Sequence, residues 1–257
     1  MQNRLSHVAL VTGADSGIGQ VIAHVLAAEG ADIIVVFHTD TQGAERTRAL
    51  VEACGRRCLL RQLDVRDQRA VAELFDQPTA AFGVPEILVN CAGVGERSMP
   101  VMETPEQEWD RVIRTDLYGP FFCCRHFVQA RKSVGGGGRI INLTSVHDSI
   151  PSPNNAAYGA AKGGLKTFTR SLALEVARDR ITVNAIAPGM IRTPMTAERA
   201  EDPEKLRQAE AHIPLGRIGE PHEVASLAVW LAGPNASYVT GQSFVIASPL
   251  SSTAGWR

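Results

Sequence analysis

The chain is nearly without net charge. Its 26 Lys and Arg set against 27 Asp and Glu leave a formal −1 over 257 residues. No global field therefore draws it to nucleic acid or to an anionic membrane. It contains no apolar run approaching the ~20 residues of a membrane span. Its first residues, MQNRLSHVALVTG, lack a basic stretch followed by a long apolar core, so no signal peptide is read there. Cysteine is scarce and odd in number. The five sit largely in apolar surroundings such as FFCCRHF and LVNCAG, which fits reduced thiols better than a secreted disulfide framework. Cys54 and Cys58 lie four apart, but no second Cys/His pair follows at zinc spacing, so no metal site is expected. Internal repeats and domain linkers are also missing. GGGG at 135–138 is the one low-complexity patch and reads as a flexible turn. These absences predict a cytoplasmic protein with no nucleic-acid, membrane or metal partner.

What is present is ordinary globular composition, 44% hydrophobic and 21% charged, in a chain long enough to bury a core without disulfides. Short apolar runs rich in Val and Ile fall at 7–12, 32–37, 58–65, 86–90, 139–145, 181–188 and 243–247. Few charges interrupt them, as expected of strands covered on both faces. Helical patterns lie between them, among them 18–30, 68–83, 106–133 and 156–179. The alternation predicts a single α/β domain. Its core is a Rossmann-type doubly wound parallel sheet of about seven strands, with helices on both faces. Residues 193–216, a charged segment bracketed by prolines, form the longest insertion and read either as a substrate lid or as a solvated surface helix.

The first strand runs into TGADSGIG, with Gly13, Gly17 and Gly19 at a strand-to-helix turn. Glycine there permits positive φ and close approach to a pyrophosphate, and the helix start offers unpaired N–H groups. A lone glycine turn is weak evidence, but following the first strand and opening a helix it points to a dinucleotide. Further on, YGAAK places Tyr158 and Lys162 one helical turn apart, on one face. A phenol titrates near 10, too high for a base at neutrality, and a neighbouring ammonium favours the phenolate. That chemistry suits removal of a hydroxyl proton while hydride leaves carbon. Alone, such a pair is common by chance, and Ser145 alone would read as a strand-end Ser capping a turn.

The ordered set TGxxxGIG, NCAG at 90–93, Ser145, Tyr158-x-x-x-Lys162 and the Pro188-Gly189 pair resembles the short-chain dehydrogenases/reductases over residues 6 to 246. The resemblance implies an oxidoreductase interconverting a secondary alcohol and a carbonyl. Tyr158 would be the general acid/base. Lys162 would lower its pKa and bind the nicotinamide ribose, and Ser145 would hold the substrate oxygen. Gly13, Ser16, Gly17, Ile18 and Gly19 would line the phosphate and ribose region. Asp64 and Val65 would border the adenine, and Asn90, Ala92 and Gly93 the adenosine ribose. Pro188, Gly189, Ile191 and Thr193 would flank the nicotinamide amide. One departure falls in TDLYG, where Asp116 stands in place of the family's Asn. That Asn supports a water linked to the lysine; Asp116 could instead raise the Lys162 pKa. The last strand also lacks the usual Asp-Gly-Gly and runs into ASPLSSTAGWR.

Cofactor choice is read at the end of strand two, where an acid binds the ribose 2′-OH and a base the 2′-phosphate. His38 and Thr39 are neither, Ser16 is not basic, and Asp40 lies slightly beyond. NAD is favoured over NADP, with use of both left open. Substrate-lining segments at 94–98, 146–155 and 189–194 carry Glu96, His147, Asn154 and Asn155 and few aromatics. A polar pocket suits a sugar or polyol, and SVHDSIP, LGRIGEP and VTGQSFVI resemble bacterial glucose 1-dehydrogenase-like members. Two alternatives remain: a 3-oxoacyl thioester reductase, for which Arg97, Arg192 and Arg199 could form the basic patch an acidic carrier needs, and a non-catalytic nicotinamide-nucleotide sensor. FFCCRHFV at 121–128 is apolar on more than one face, so its helix needs a second partner. The family builds closed oligomers from such helices, and a homotetramer is expected.

Overall fold

A computed structural model describes residues 8–76, 82–95 and 97–248. Seven strands form one sheet: β1 (Val8–Thr12), β2 (Asp32–Phe37), β3 (Cys58–Gln62), β4 (Ile87–Asn90), β5 (Gly138–Leu143), β6 (Ile181–Pro188) and β7 (Ser243–Ile246). They run in the order β3-β2-β1-β4-β5-β6-β7, all parallel. The chain leaves β3 at one edge and returns beside β1, so the strand order reverses between β1 and β4. In sheets of this order, ligands bind beside such a reversal at the carboxyl ends of the strands.

Side chains alternate across each strand and divide the core into two layers. Ala9, Val11, Ile33, Val35 and Val89 pack against α1 (Gly17–Ala28), α2 (Thr41–Ala53) and, further along the sheet, α9 (Pro221–Ala232). Leu10, Ile34, Val36, Leu88 and Val183 face α3 (Gln68–Asp76), α5 (Gly119–Ser133) and α6 (Ala156–Val176). Among the described residues no helix is long and apolar enough to cross a membrane.

Three elements differ from the sequence reading. The helix expected over 106–133 is α4 (Glu106–Ile113), then a single π turn at Arg114–Tyr118, then α5. Pro120 explains the widening. Within a helix its ring would strike the carbonyl four residues back, which belongs to Asp116, and it has no N–H to give. Second, β3 ends at Gln62, not 65, so Asp64 and Val65 follow the strand instead of belonging to it. Third, residues 193–216 hold a 3₁₀ turn (Pro194–Thr196) and two short helices, α7 (Ala197–Ala200) and α8 (Pro203–Ala211). Their base is clasped, because Gly219 N–H donates to Met190 O at 2.9 Å and Arg192 N–H to Gly219 O at 2.9 Å.

Candidate active site

The glycine turn is built against the end of β4. The Thr12 hydroxyl accepts from the N–H of Cys91 at 3.1 Å and of Ala92 at 3.0 Å. Gly13 sits at φ +63°, and a Cβ there would lie 2.8 Å from Ala92 Cα, so no other residue fits without moving the loop. On the other side the Thr47 hydroxyl donates to Ala14 O at 2.7 Å. Ser16 is the N-cap of α1 but makes no side-chain cap bond, and the first turn carries no acidic residue. The helix start is thus left to offer its N–H groups to an anion. Gly17 faces Thr193 and Pro194 across the cleft, with a Cβ position 3.3 Å from Thr193 Cβ, while Ile18 packs partly on the core and Gly19 is buried.

Asn90 turns its side chain into the core instead of the cleft. Its amide donates to Asn142 Oδ1 at 2.8 Å, and the Asn142 amide donates to the Thr169 hydroxyl at 2.9 Å. This ladder joins β4, β5 and α6. Asn90 can therefore meet a cofactor only through its backbone.

At the far rim, His38 and Thr39 are exposed. His38 Nε2 lies 3.7 Å from Asp64, which also holds Arg66 at 2.6 Å. The Arg66 hydrogen bonds keep Asp64 below the usual carboxylate range. Val65 is buried beneath Gly119. Asp40 caps α2 through the Gly43 N–H at 2.8 Å and faces Arg46 at 3.4 Å. Burial raises the Asp15 carboxyl above its ordinary value, and the Asp40 charge adds to this.

Tyr158 and Lys162 stand one turn apart on α6, with Lys162 Nζ 5.5 Å from the phenol ring centroid. Lys162 is buried. It donates to Leu143 O at 3.1 Å and pairs with Asp116 Oδ2 at 3.0 Å. Asp116, fully buried in the π turn, accepts from the Val94 N–H at 2.9 Å through its other oxygen. Burial by itself would depress the Lys162 ammonium. Asp116 above all, then Tyr158 and Cys91, outweigh it, so its pKa lies above the ordinary lysine value. Gly93 covers the pair, since a Cβ there would come 3.1 Å from Asp116 Oδ2.

Ser145 follows β5 and is buried, its hydroxyl accepting from His147 N–H at 3.2 Å. The His147 ring meets Tyr158 edge-on, centroids 6.3 Å apart, and its Nδ1 contacts Ile150 O at 3.0 Å. The other proposed substrate residues are less engaged. The Asn155 amide bonds Ser152 and Pro153 O within its own loop, Asn154 is exposed in a left-handed conformation, and Glu96 lies outside the described residues. On the nicotinamide side Pro188 ends β6, Gly189 N–H donates to Ile246 O at 2.9 Å, and Ile191 is buried against Gly219. Thr193 N–H donates to the Thr196 hydroxyl at 3.1 Å. Met195 reaches over Gly95, whose Cβ position is 3.8 Å from Met195 Cγ.

Two supports escaped the sequence reading. Glu108 accepts from Arg97 N–H at 2.9 Å and pairs with Arg111 at 2.7 Å, holding the loop after β4. Lys166 pairs with Asp148 at 2.8 Å behind the Ser145 turn. Its signal was present in YGAAKGGLK, where a second lysine follows the first at one more helical turn.

The family described as enoyl-(acyl carrier protein) reductase matches residues 13–248. The chain is 41% identical over 241 residues to 3beta-hydroxysteroid dehydrogenase 1 of Eggerthella lenta, covering 92% of this chain and 90% of that protein. It is 34% identical over 239 residues to glucose 1-dehydrogenase 2 of Bacillus subtilis, covering 93% and 92%. The crystal structure of acetoin dehydrogenase from Enterobacter cloacae matches with a TM-score of 0.85 and 41% identity, over 95% of each chain. The chain is a short-chain dehydrogenase/reductase. It is thus an NAD(P)-dependent oxidoreductase of a family whose relatives here are named for alcohol dehydrogenation.

Proposed function

We propose that this short-chain dehydrogenase/reductase oxidises a secondary alcohol of a sugar or polyol, or reduces the matching carbonyl, with NAD as the preferred cofactor. The Tyr158–Lys162–Ser145 grouping at the carboxyl ends of β5 and β6 carries the reading. The open glycine turn at Gly13 and the uncapped start of α1 suit a pyrophosphate. When bound, the nicotinamide supplies the hydride acceptor for oxidation and the donor for reduction. Tyr158 takes the hydroxyl proton in one direction and returns it in the other. Lys162, charged at neutral pH, stabilises the anion formed as the phenol gives up its proton. Its ammonium donates to Leu143 O and lies 3.0 Å from Asp116, and a remaining N–H can meet a ribose hydroxyl. Ser145 donates to the reacting oxygen and stabilises charge developing there.

At the adenosine rim Arg46 and Arg66 already face Asp40 and Asp64, and Asp15 adds a further acid. A ribose 2′-hydroxyl fits these surroundings better than a 2′-phosphate. His147 beside Tyr158 supports a hydroxyl-rich substrate, as does the relative named for glucose. The acyl thioester alternative loses one of its cations, because Arg192 is held by Glu220 at 3.1 Å and Ala200 O at 3.2 Å. Residues 193–216 act as the lid: Thr193 and Pro194 sit by Gly17 and Met195 by Gly95, spanning phosphate and substrate loops. Tyr118 at the end of the π turn clusters with Phe121 and Phe122 of α5 and Phe168 of α6, Tyr118 and Phe121 being exposed, which supports the homotetramer. A monomer in light scattering would contradict it.

The test is absorbance of reduced nicotinamide with NAD or NADP and a panel of aldoses, polyols, steroids and simple secondary alcohols. Turnover of an aldose or polyol with NAD is expected. Turnover confined to apolar alcohols, or to reduction of acyl thioesters, overturns the substrate assignment.

A further inference from the structure

The Ser145 turn is joined to α6 by contacts beyond its own hydrogen bonds. Residues 145–150 run along α6, the His147 carbonyl 3.7 Å from the Cβ position of Gly159 and the Asp148 carbonyl 3.6 Å from that of Gly163. Within the turn Asp148 N–H donates to Ser145 O at 2.9 Å and Ile150 N–H to Val146 O at 2.9 Å. Its side-chain tie to the helix is made one turn beyond Lys162. Lys166 Nζ meets Asp148 Oδ1 at 2.8 Å and the Ser149 hydroxyl, and that hydroxyl donates to Asp148 at 2.6 Å. The Asp148 side chain is 1% exposed and that of Lys166 19%, so water screens this pair far less than a surface pair. Asp148 Oδ2 is buried without a hydrogen-bond partner, so the carboxylate depends on Lys166 for its compensation.

We propose that Lys166 and Asp148 are positioning residues: a latch that seats the Ser145–His147 turn on α6 and thereby fixes Ser145 and His147 relative to Tyr158. The stem of this arrangement is the face Tyr158, Gly159, Lys162, Gly163, Lys166. Tyr158 and Lys162 carry the chemistry, the two glycines admit the turn's backbone, and Lys166 ties it down. The latch touches no element of the glycine loop on β1, so it governs alignment of the alcohol and not affinity for the cofactor. It rests on the reading that Tyr158 exchanges the substrate proton.

The experiment compares Lys166→Met, Lys166→Arg and Asp148→Asn for kcat, KM, thermal midpoint and affinity for reduced nicotinamide by fluorescence. Displacements of about 1 Å in a reacting group cost up to a hundredfold. The latch predicts that Lys166→Met lowers kcat about tenfold or more at unchanged cofactor affinity, and that Lys166→Arg retains most of the turnover. If Lys166→Met does not fold, the Lys166→Met/Asp148→Asn double variant removes the stranded charge and carries the same kinetic test. Wild-type kcat in a folded Lys166→Met or double variant overturns the latch. So does a cofactor affinity that falls in step with kcat, or a Lys166→Arg variant no better than Met. Retained activity in Tyr158→Phe would instead overturn the proton-exchange reading on which the latch rests.

Discussion

Asp116 and Lys162 face each other at 3.0 Å beneath Gly93, the carboxylate fully buried and the ammonium nearly so. The buried carboxylate compensates the buried ammonium and favours its charged form. Each is also anchored to backbone, Asp116 by the Val94 N–H and Lys162 by the Leu143 carbonyl. The pair therefore fixes the floor on which the Tyr158 helix meets the ends of β4 and β5.

A pH dependence follows. Asp116 raises the Lys162 pKa above its ordinary 10.5. The stability contributed is complete below 10.5 and is lost as pH rises through the higher folded-state value. Asp116→Asn keeps an acceptor for Val94 but removes the charge. The wild type's lead in thermal midpoint over Asp116→Asn should hold below about pH 10.5 and shrink as pH rises beyond it. Superimposable alkaline profiles would contradict the pairing.

Glu108 gives the opposite sign. Hydrogen bonds from Arg111, and then the Arg97 N–H, bring its carboxyl from 4.5 down to about 2 despite its burial. Its contribution is present above 4.5 and lost as pH falls through about 2. The gap in thermal midpoint between wild type and Glu108→Gln should be constant above about pH 5 and close in stronger acid. A gap independent of pH would show that the carboxylate charge does not hold the loop.

Gly13→Ala should fold poorly around its loop. The left-handed backbone at φ +63° costs a residue with a Cβ about 1–2 kcal/mol. The added carbon also meets Ala92 Cα at 2.8 Å and pushes the turn away from β4. A displaced turn no longer brings its backbone up to the pyrophosphate, so nicotinamide affinity should drop about tenfold or more. Unchanged affinity by fluorescence titration would remove the turn from the cofactor site.

How much of this was legible beforehand depended on the range of each signal. Strand positions and the parallel sheet followed from apolar runs, and Tyr158 with Lys162 from helical period, because both signals are local. The direction of the Asn90 side chain was not legible. Residue 90 sits in a strand where period alone allows either face, and only pairing with β5 shows that Asn142 claims it. The π turn was hidden because a helical pattern shifts by one residue there, though Gly119-Pro120 marked the spot. Glu108 and Asp148 were silent because their partners, Arg97 and Lys166, lie across a loop or on another element.

The Asn90–Asn142–Thr169 ladder supports its own prediction. Thr169→Val preserves shape but leaves the Asn142 amide without its acceptor in the core. A buried unpaired donor costs about 1–3 kcal/mol. Urea denaturation should report that loss with an unchanged slope, whereas a neutral effect would mean the ladder adds nothing to stability.

The most direct measurement is kcat of Tyr158→Phe on the best alcohol of the panel, with nicotinamide affinity measured on the same sample. Loss of turnover by about a hundredfold or more, with affinity held, is the predicted result for removal of a general acid/base. Turnover near the wild-type rate, with the cofactor bound, would contradict the assignment of Tyr158 as the group that exchanges the substrate proton.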